Sequence, residues 1–304
     1  MSLTLPVLSS EPPPKRRLPP WLKRPLPPGD AMLQTRKLID GLQLNTVCVE
    51  ARCPNLTECW TRGTATFMIL GDECTRRCSF CAVGTAKPLP PEEDEPQRMA
   101  DAAAKLGLRH VVITSVARDD LPDEGAGHFA RCVAAVHERL PESTIEVLVP
   151  DFHGKPELIK VVTDARPEVY NHNLETVARL QKKVRPAARY QRTLDVLRTA
   201  KRLDPQIVTK SGIMVGLGET REELEQAMRD LVAHDCDMLT IGQYLRPGDE
   251  RYAAVERYYP PEEFEELAEA AKSIGFKAVA SGPFVRSSYF AETLFAETDV
   301  LRRR

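Results

Sequence analysis

The sequence predicts an α/β fold whose strands form a parallel sheet, and three observations carry the prediction. After residue 60, short β-branched or apolar runs alternate with amphipathic helical stretches, six times in succession. Each helical stretch is long enough to cross back over a sheet, which makes successive strands parallel and the crossovers right-handed. The chain has 304 residues, 42% hydrophobic and 28% charged, enough for one large barrel or two average domains.

Taken in order, strands are predicted near residues 65–70, 110–116, 144–150, 168–174, 207–217 and 238–245. Helices between them are predicted near 94–106, 127–140, 155–165, 190–203 and 220–234, where apolar residues recur at helical spacing. A sixth helix near 261–273 opens with Pro260-Pro261-Glu262-Glu263, a proline-and-acid start signal. A weaker strand, Lys277 to Ser281, closes the series. Periodicity leaves two arrangements open, a sheet rolled into a partial barrel and a flat doubly wound one.

Residues 1–30 differ from the rest. They hold nine of the 25 prolines and carry Lys15, Arg16, Arg17, Lys23 and Arg24 against Glu11 and Asp30. Proline density opposes regular helix and favours extended backbone, so an arm over the surface or a partly disordered tail is expected. Its charge, like that of Arg302-Arg303-Arg304, fits a solvated basic tail better than a partner site. A formal net charge of −2 gives no case for nucleic-acid binding, and no run of 18 apolar residues suggests a membrane span.

Six of the eight cysteines fall into two triplets, Cys48, Cys53, Cys59 and Cys74, Cys78, Cys81. The second, spaced C-x3-C-x2-C, directly follows the strand Thr66-Phe67-Met68-Ile69-Leu70, where a cofactor loop belongs in such folds. Three thiolates that close can grip one face of an iron–sulfur cubane and leave one iron free to bind and activate something. Structural zinc closes four positions, often with two C-x2-C knuckles, a form neither triplet has. Disulfides fit poorly with an N-terminus that shows no apolar signal-peptide core. Zinc and disulfides stay open as the lesser alternatives. Cys132 and Cys236 stand singly in apolar contexts and read as small core residues.

The C-x3-C-x2-C run, with Phe80 before its last cysteine, resembles the signature of the radical S-adenosylmethionine enzymes. The C-x4-C-x5-C triplet ending in Cys59-Trp60 resembles the lipoyl synthases within that superfamily. So do Asn171-His172-Asn173-Leu174-Glu175-Thr176, the run Lys210 to Glu219, and the run Gly282 to Tyr289. These motifs extend from about residue 40 to residue 290 in the family's order.

That resemblance implies a partial (β/α)6 TIM-like barrel over residues 63–281. It is preceded by the Pro-rich basic arm, 1–40, and an auxiliary cluster-binding segment, 41–62, and followed by a C-terminal extension, 282–304. It implies two [4Fe–4S] clusters. Cys74, Cys78 and Cys81 would hold the first, with S-adenosylmethionine on its free iron; an electron passed into the sulfonium releases a 5′-deoxyadenosyl radical. Cys48, Cys53 and Cys59 would hold the second, with Ser288 of Arg286-Ser287-Ser288-Tyr289 as a weak fourth ligand to a cluster that is consumed as the sulfur source. On the residues alone, Ser287-Ser288 reads as a turn or cap.

For S-adenosylmethionine the resemblance offers Asn173 and Glu175. Ser115 and Arg118 follow the second strand, and Arg118 fits equally a carboxylate-binding fork and a structural ion pair with Asp119 or Asp120. Lys210 fits either a cofactor contact, burial with a partner, or a snorkelling surface role. His172 receives no catalytic role. Two positions depart from the family pattern: Phe290, where many members carry histidine, and Glu124, where a second glycine is expected.

The implied activity is a sulfurtransferase that inserts two sulfur atoms at C6 and C8 of an octanoyl chain. The chain would be attached to a lysine of a lipoyl carrier domain, either the glycine cleavage H protein or an E2 lipoyl domain. A ferredoxin or flavodoxin would be the reductant. A biotin synthase-like or methylthiotransferase chemistry and a non-enzymatic iron–sulfur or zinc protein remain as the other readings. No export signal and unpaired cysteines point to the cytoplasm.

Overall fold

A computed structural model describes residues 18–24 and 30–302. Eight strands form one sheet in sequence order: β1 (Asn45–Thr46), β2 (Thr66–Ile69), β3 (His110–Ser115), β4 (Thr144–Leu148), β5 (Val169–Asn171), β6 (Val208–Val215), β7 (Met238–Gln243) and β8 (Ala278–Gly282). β1 is antiparallel to β2, with Asn45 opposite Met68; every later pair is parallel. The six predicted strands are β2 to β7, and the weaker seventh is β8.

Around the sheet lie α1 (Ala31–Gly41), α2 (Val47–Glu50), α3 (Leu56–Thr61), α4 (Glu95–Lys105), α5 (Ala126–Arg139), α6 (Pro156–Asp164), α7 (Gln181–Val184), α8 (Tyr190–Leu203), α9 (Arg221–Ala233), α10 (Pro261–Ile274) and α11 (Ala291–Arg302). The predicted crossover helices appear as α4, α5, α6, α8, α9 and α10. Proline opens α6 and α10, and Thr220 with Glu223 forms a reciprocal capping box on α9. Each packs one apolar stripe on the sheet, as Met99, Ala100 and Ala103 of α4 do. No helix among the described residues is long and apolar enough to cross a membrane.

No pairing joins β8 to β1 or β2 among the described residues, so the sheet curls without closing. At its lower end Val169, Val208, Met238 and Ala278, all first or second from a strand start, meet Leu294 of α11 in one apolar cluster. The same helix reaches β3, where Glu292 pairs with Arg109 at 2.8 Å and Phe295 lies 6.0 Å from the His110 ring. One helix touching both flanks shows the sheet rolled into a partial barrel, and α11 plugs its floor.

Above the plug, Lys210 and Glu146 are both fully buried and paired, with Nζ 2.8 and 2.9 Å from the two carboxylate oxygens. Asn171 Nδ2 donates to Glu146 Oε1 at 2.8 Å, and His110 Nε2 lies 3.4 Å from Oε2. Burial alone would raise the Glu146 carboxyl, but the Lys210 ammonium and His110 outweigh it and lower it to about 2. The expectation of Lys210 as a cofactor contact is therefore corrected: its charge is spent beneath the cavity.

Of the arm, Leu18–Arg24 is described. Leu22 is buried, and the Trp21 ring nitrogen donates to the Tyr259 carbonyl at 3.1 Å, so this stretch is fastened to the barrel. Lys15, Arg16, Arg17, Arg303 and Arg304 lie outside the described residues.

Candidate functional site

The second triplet stands where β2 ends. Leu70 and Gly71 take left-handed backbone, φ +70° and +89°, which turns the chain across the barrel mouth. The loop is then stitched to its neighbours. Cys74 N donates to Gly84 O at 2.8 Å, Thr75 N to Ala117 O at 3.0 Å, and Ser79 N to Val184 O at 2.9 Å. Cys74 Sγ accepts the Ala117 and Arg76 amides at 3.3 and 3.4 Å, contacts that fix the direction of the sulfur. Behind the loop, Arg76 forks onto Asp119 at 2.7 and 2.8 Å and reaches Asp151 at 2.7 Å. Burial works against the Asp151 carboxylate, yet Arg76 and Arg192 hold it down at about 2.

The first triplet is put together differently. Cys48 lies on α2 and Cys59 on α3, with Cys53 on the turn between them; Cys53 N donates to Cys48 O at 3.1 Å. The Thr46 hydroxyl caps α2 through Val49 N. The C-terminal segment crosses to meet this turn. Asn55 Nδ2 donates to Phe284 O at 2.7 Å, and the Tyr289 hydroxyl donates to Glu58 at 3.0 Å. Arg24 of the arm completes the knot, pairing with Glu58, donating to Tyr289 Oη at 3.3 Å and stacking 3.8 Å over the Phe284 ring. A side chain on Gly242 would collide with the Val285 carbonyl, so the segment lies directly on β7.

All eight cysteines are free, with Cys132 and Cys236 buried in the core. The other six border one cavity of about 710 Å³, lined also by Ser115, Asn173, Glu175 and Ser288. Burial pushes the Cys48 thiol up to about 11 and Cys59 and Cys81 up to about 12, with neighbouring thiols adding to the rise. Cys78 rises for the same first cause. Such groups do not ionise unaided; a bound cation supplies the compensating charge.

The polar side chains at the mouth are only partly satisfied. Ser287 Oγ donates to Asn173 Oδ1 at 2.8 Å, and Arg185 Nη1 donates to the Asn173 carbonyl at 2.7 Å. Gly212 makes room for this group: a methyl there would fall 2.8 Å from Asn173 Oδ1 and 2.9 Å from Ser287 Oγ. Glu175 is held at φ +69° by two bonds to β6, Glu175 N to Gly212 O at 2.8 Å and Met214 N to Glu175 O at 2.9 Å. Burial raises its carboxyl, with Arg185 and Arg286 opposing. Arg286 lines the same cavity, within electrostatic reach of Cys53 and Glu175. Ser115 Oγ and Arg185 Nε are buried with no hydrogen-bond partner. Orphaned polar atoms on a thiol-lined cavity fit a polar cofactor held beside a metal cluster.

Arg118 is a second correction. Its guanidinium is buried away from the cavity, forked onto Asp120 at 2.8 and 2.9 Å and donating to the Leu70 carbonyl at 3.1 Å. That arrangement consumes the fork and supports the left-handed turn before the cysteine loop. His172 is fully enclosed, its ring nitrogens on Val149 O at 2.8 Å and Thr193 Oγ1 at 3.3 Å, and burial lowers its pKa to about 4. It is a neutral core histidine. The sequence reading missed Arg185, which carries no local signal, and Arg286, which lay inside a quoted motif. Glu124 adopts φ +50° and bonds Lys155 at 2.7 Å, and Phe290 is exposed with Arg62 4.4 Å over its ring.

Comparison with known proteins agrees with this geometry. A sequence model of the radical SAM superfamily matches residues 68–231, and one of the N-terminal domain of lipoyl synthase of the radical SAM family matches 7–53. The chain is 57% identical to the lipoyl synthase of Rhodopirellula baltica over 93% of this chain and 89% of that one. It is 55% identical to the lipoyl synthase of Rubrobacter xylanophilus over 90% and 85%. Among solved structures, methylornithine synthase (PylB) superposes with a TM-score of 0.50 at 14% identity, covering 90% of this chain and 95% of that one. HydG, a maturase of the [FeFe]-hydrogenase, gives 0.56 at 12%, covering 70% and 49%. These two likenesses concern the fold alone.

Proposed function

The chain belongs to the lipoyl synthase family of radical S-adenosylmethionine enzymes, and on that premise we propose how its residues divide the work. It acts as a sulfurtransferase on an octanoyl chain carried by a lysine of a lipoyl carrier domain, of the glycine cleavage H protein or E2 type, at C6 and C8. It takes electrons from a ferredoxin- or flavodoxin-type donor in the cytoplasm. Residues 63–281 serve as the barrel, 41–62 and 282–304 as the auxiliary half, and 1–40 as the arm.

Cys74, Cys78 and Cys81 hold a [4Fe–4S] cluster with one iron left for S-adenosylmethionine. Cys48, Cys53, Cys59 and Ser288 hold a second. Bound there, the groups supply a carbon radical strong enough for unactivated C–H bonds and the sulfur that replaces the hydrogens. The chain's own part is to place and to shield. Asn173, Glu175, Arg185 and the orphaned Ser115 hydroxyl line the same cavity and offer S-adenosylmethionine hydrogen-bonding partners. Ser287 ties Asn173 to the segment bearing Ser288, so the two halves of the site share one bond. Arg286, within electrostatic reach of Cys53 and Glu175, adds a guanidinium to the lining of the chamber. Phe80, Met214 and Val285 add apolar walls that exclude water.

The observation that carries this reading is the pair of free thiol triplets on one cavity. Reconstitution without air should give about eight irons per chain. With S-adenosylmethionine and reductant, an octanoyl-lysyl peptide should become its lipoyl form. One zinc and no visible absorbance would end the proposal.

A further inference from the structure

The loop bearing Cys74, Cys78 and Cys81 has an inner face on the cavity and an outer edge at Arg77 and Ser79. Ser79 N donates to Val184 O at 2.9 Å and its hydroxyl to Lys183 O at 3.2 Å, which sews that edge to α7. The seam collects cations. Arg77, Lys182, Lys183 and Arg189 are all exposed, and none of their side chains has a hydrogen-bond or ion-pair partner among the described residues. The other cations nearby are spent: Arg179 forks onto Glu223, Arg185 turns onto Asn173, and Arg192 meets Asp151 at 3.1 Å. On the other flank Ala253 N donates to Ser79 O at 2.7 Å, which brings up a loop where Arg251 pairs with Asp249 and Glu250 is unpaired. These four cations belong to the cysteine loop and to the stretch 182–189 sewn to it, on a chain whose formal net charge is −2. Like charges without partners repel one another, and no carboxylate among the described residues pairs with these four.

We propose that this strip, Arg77 with Lys182, Lys183 and Arg189, is the docking surface for an acidic one-electron donor protein of the flavodoxin or ferredoxin kind. The proposal rests on the reading of Cys74, Cys78 and Cys81 as holders of a reducible cluster. The inner face of the loop is occupied in turnover by S-adenosylmethionine and the octanoyl chain, so electrons enter from the outer edge, next to the thiols. In the step itself the donor is oxidised by one electron and the cluster reduced by one, with no atom or proton transferred. Charge complementarity speeds such an encounter and fixes its orientation, and salt weakens it because screening sets in at about 8 Å at physiological ionic strength.

The test is a charge reversal, Lys182→Glu with Lys183→Glu, assayed for cleavage of S-adenosylmethionine with two reductants. With reduced flavodoxin, the half-saturating donor concentration should rise by ~10-fold or more and lose much of its salt dependence. With dithionite, which needs no docking surface, the rate should equal that of the unaltered chain. Lys182→Ala with Lys183→Ala should fall between. An unchanged response to flavodoxin overturns the proposal. So does an equal loss with dithionite, which would place the effect in the cluster. Weaker binding of the octanoylated carrier domain, with flavodoxin dependence intact, also overturns it, since the strip would then belong to the carrier. Failure of the unaltered chain to cleave S-adenosylmethionine even with dithionite is a separate result, which removes the radical reading and this surface with it.

Discussion

The two cysteine triplets border the same cavity but are built by opposite means. Cys74, Cys78 and Cys81 occupy one loop at the end of a central strand, fixed by backbone bonds to β3's exit and α7 and by Arg76 clamped between two carboxylates. Cys48, Cys53 and Cys59 sit on two helices of four and six residues, too short to be stable alone. They are held by contacts from residues more than 200 positions away, through Asn55–Phe284 and Glu58–Tyr289, and by Arg24 of the arm. The difference teaches that one triplet is fixed by its own loop and the neighbouring strands, whereas the other takes shape only where the chain's two ends meet.

The largest test of this division is a pair of single substitutions. Cys78→Ala should abolish reductive cleavage of S-adenosylmethionine altogether. Cys53→Ala should leave cleavage measurable and stop lipoyl formation. Chromatography of 5′-deoxyadenosine and of the peptide product reads both, and lipoyl product at normal yield from Cys53→Ala would erase the distinction.

Arg76→Ala comes next. It strips the buried Asp151 of its closest cation and Asp119 of its fork, a loss of about 3–5 kcal/mol for a broken buried pair. Denaturant unfolding should show that loss, with iron released first from the barrel-borne site. A smaller and opposite effect is expected of Arg24→Ala. It should speed loss of auxiliary iron to a chelator by ~3- to 10-fold and raise hydrogen exchange across residues 284–290, in keeping with about 1 kcal/mol for a partly exposed pair. Cleavage of S-adenosylmethionine should not change, and exchange confined to the loop 72–84 would reverse the assignment.

The smallest effect is acid sensitivity, and it belongs to the barrel half. Glu146 and Asp151 are held at about 2 in the fold, because Lys210 and Arg76 outweigh burial. Unfolded, such carboxyls titrate near 4. A depressed folded pKa contributes stability that is complete above about pH 4 and lost as pH falls toward about 2. The unfolding midpoint of the metal-free chain should drop across that window, and Glu146→Gln should flatten the drop while lowering stability at pH 7 by leaving Lys210 unpaired.

Much of this was legible in the residues. β-branched runs alternating with amphipathic stretches located the sheet and six crossover helices within three residues, because period and capping residues act locally. The cysteine spacings located both triplets for the same reason. The short helices α2 and α3 were not legible, since contacts from the far end of the chain stabilise them. Arg118 and Lys210 misled because sequence shows a charge without its partner: Asp120 and Glu146 consume both. Arg185 was invisible until α7 turned it inward.

The most direct test of the central claim follows the sulfur through one turnover. The chain is reconstituted with heavy-isotope sulfide and given octanoyl-lysyl peptide, S-adenosylmethionine and reductant with no other sulfur source. Both sulfurs of the lipoyl product should carry the label, and about four irons per chain should leave while the cluster of Cys74, Cys78 and Cys81 persists. Unlabelled product, or a full complement of iron after turnover, would contradict the account.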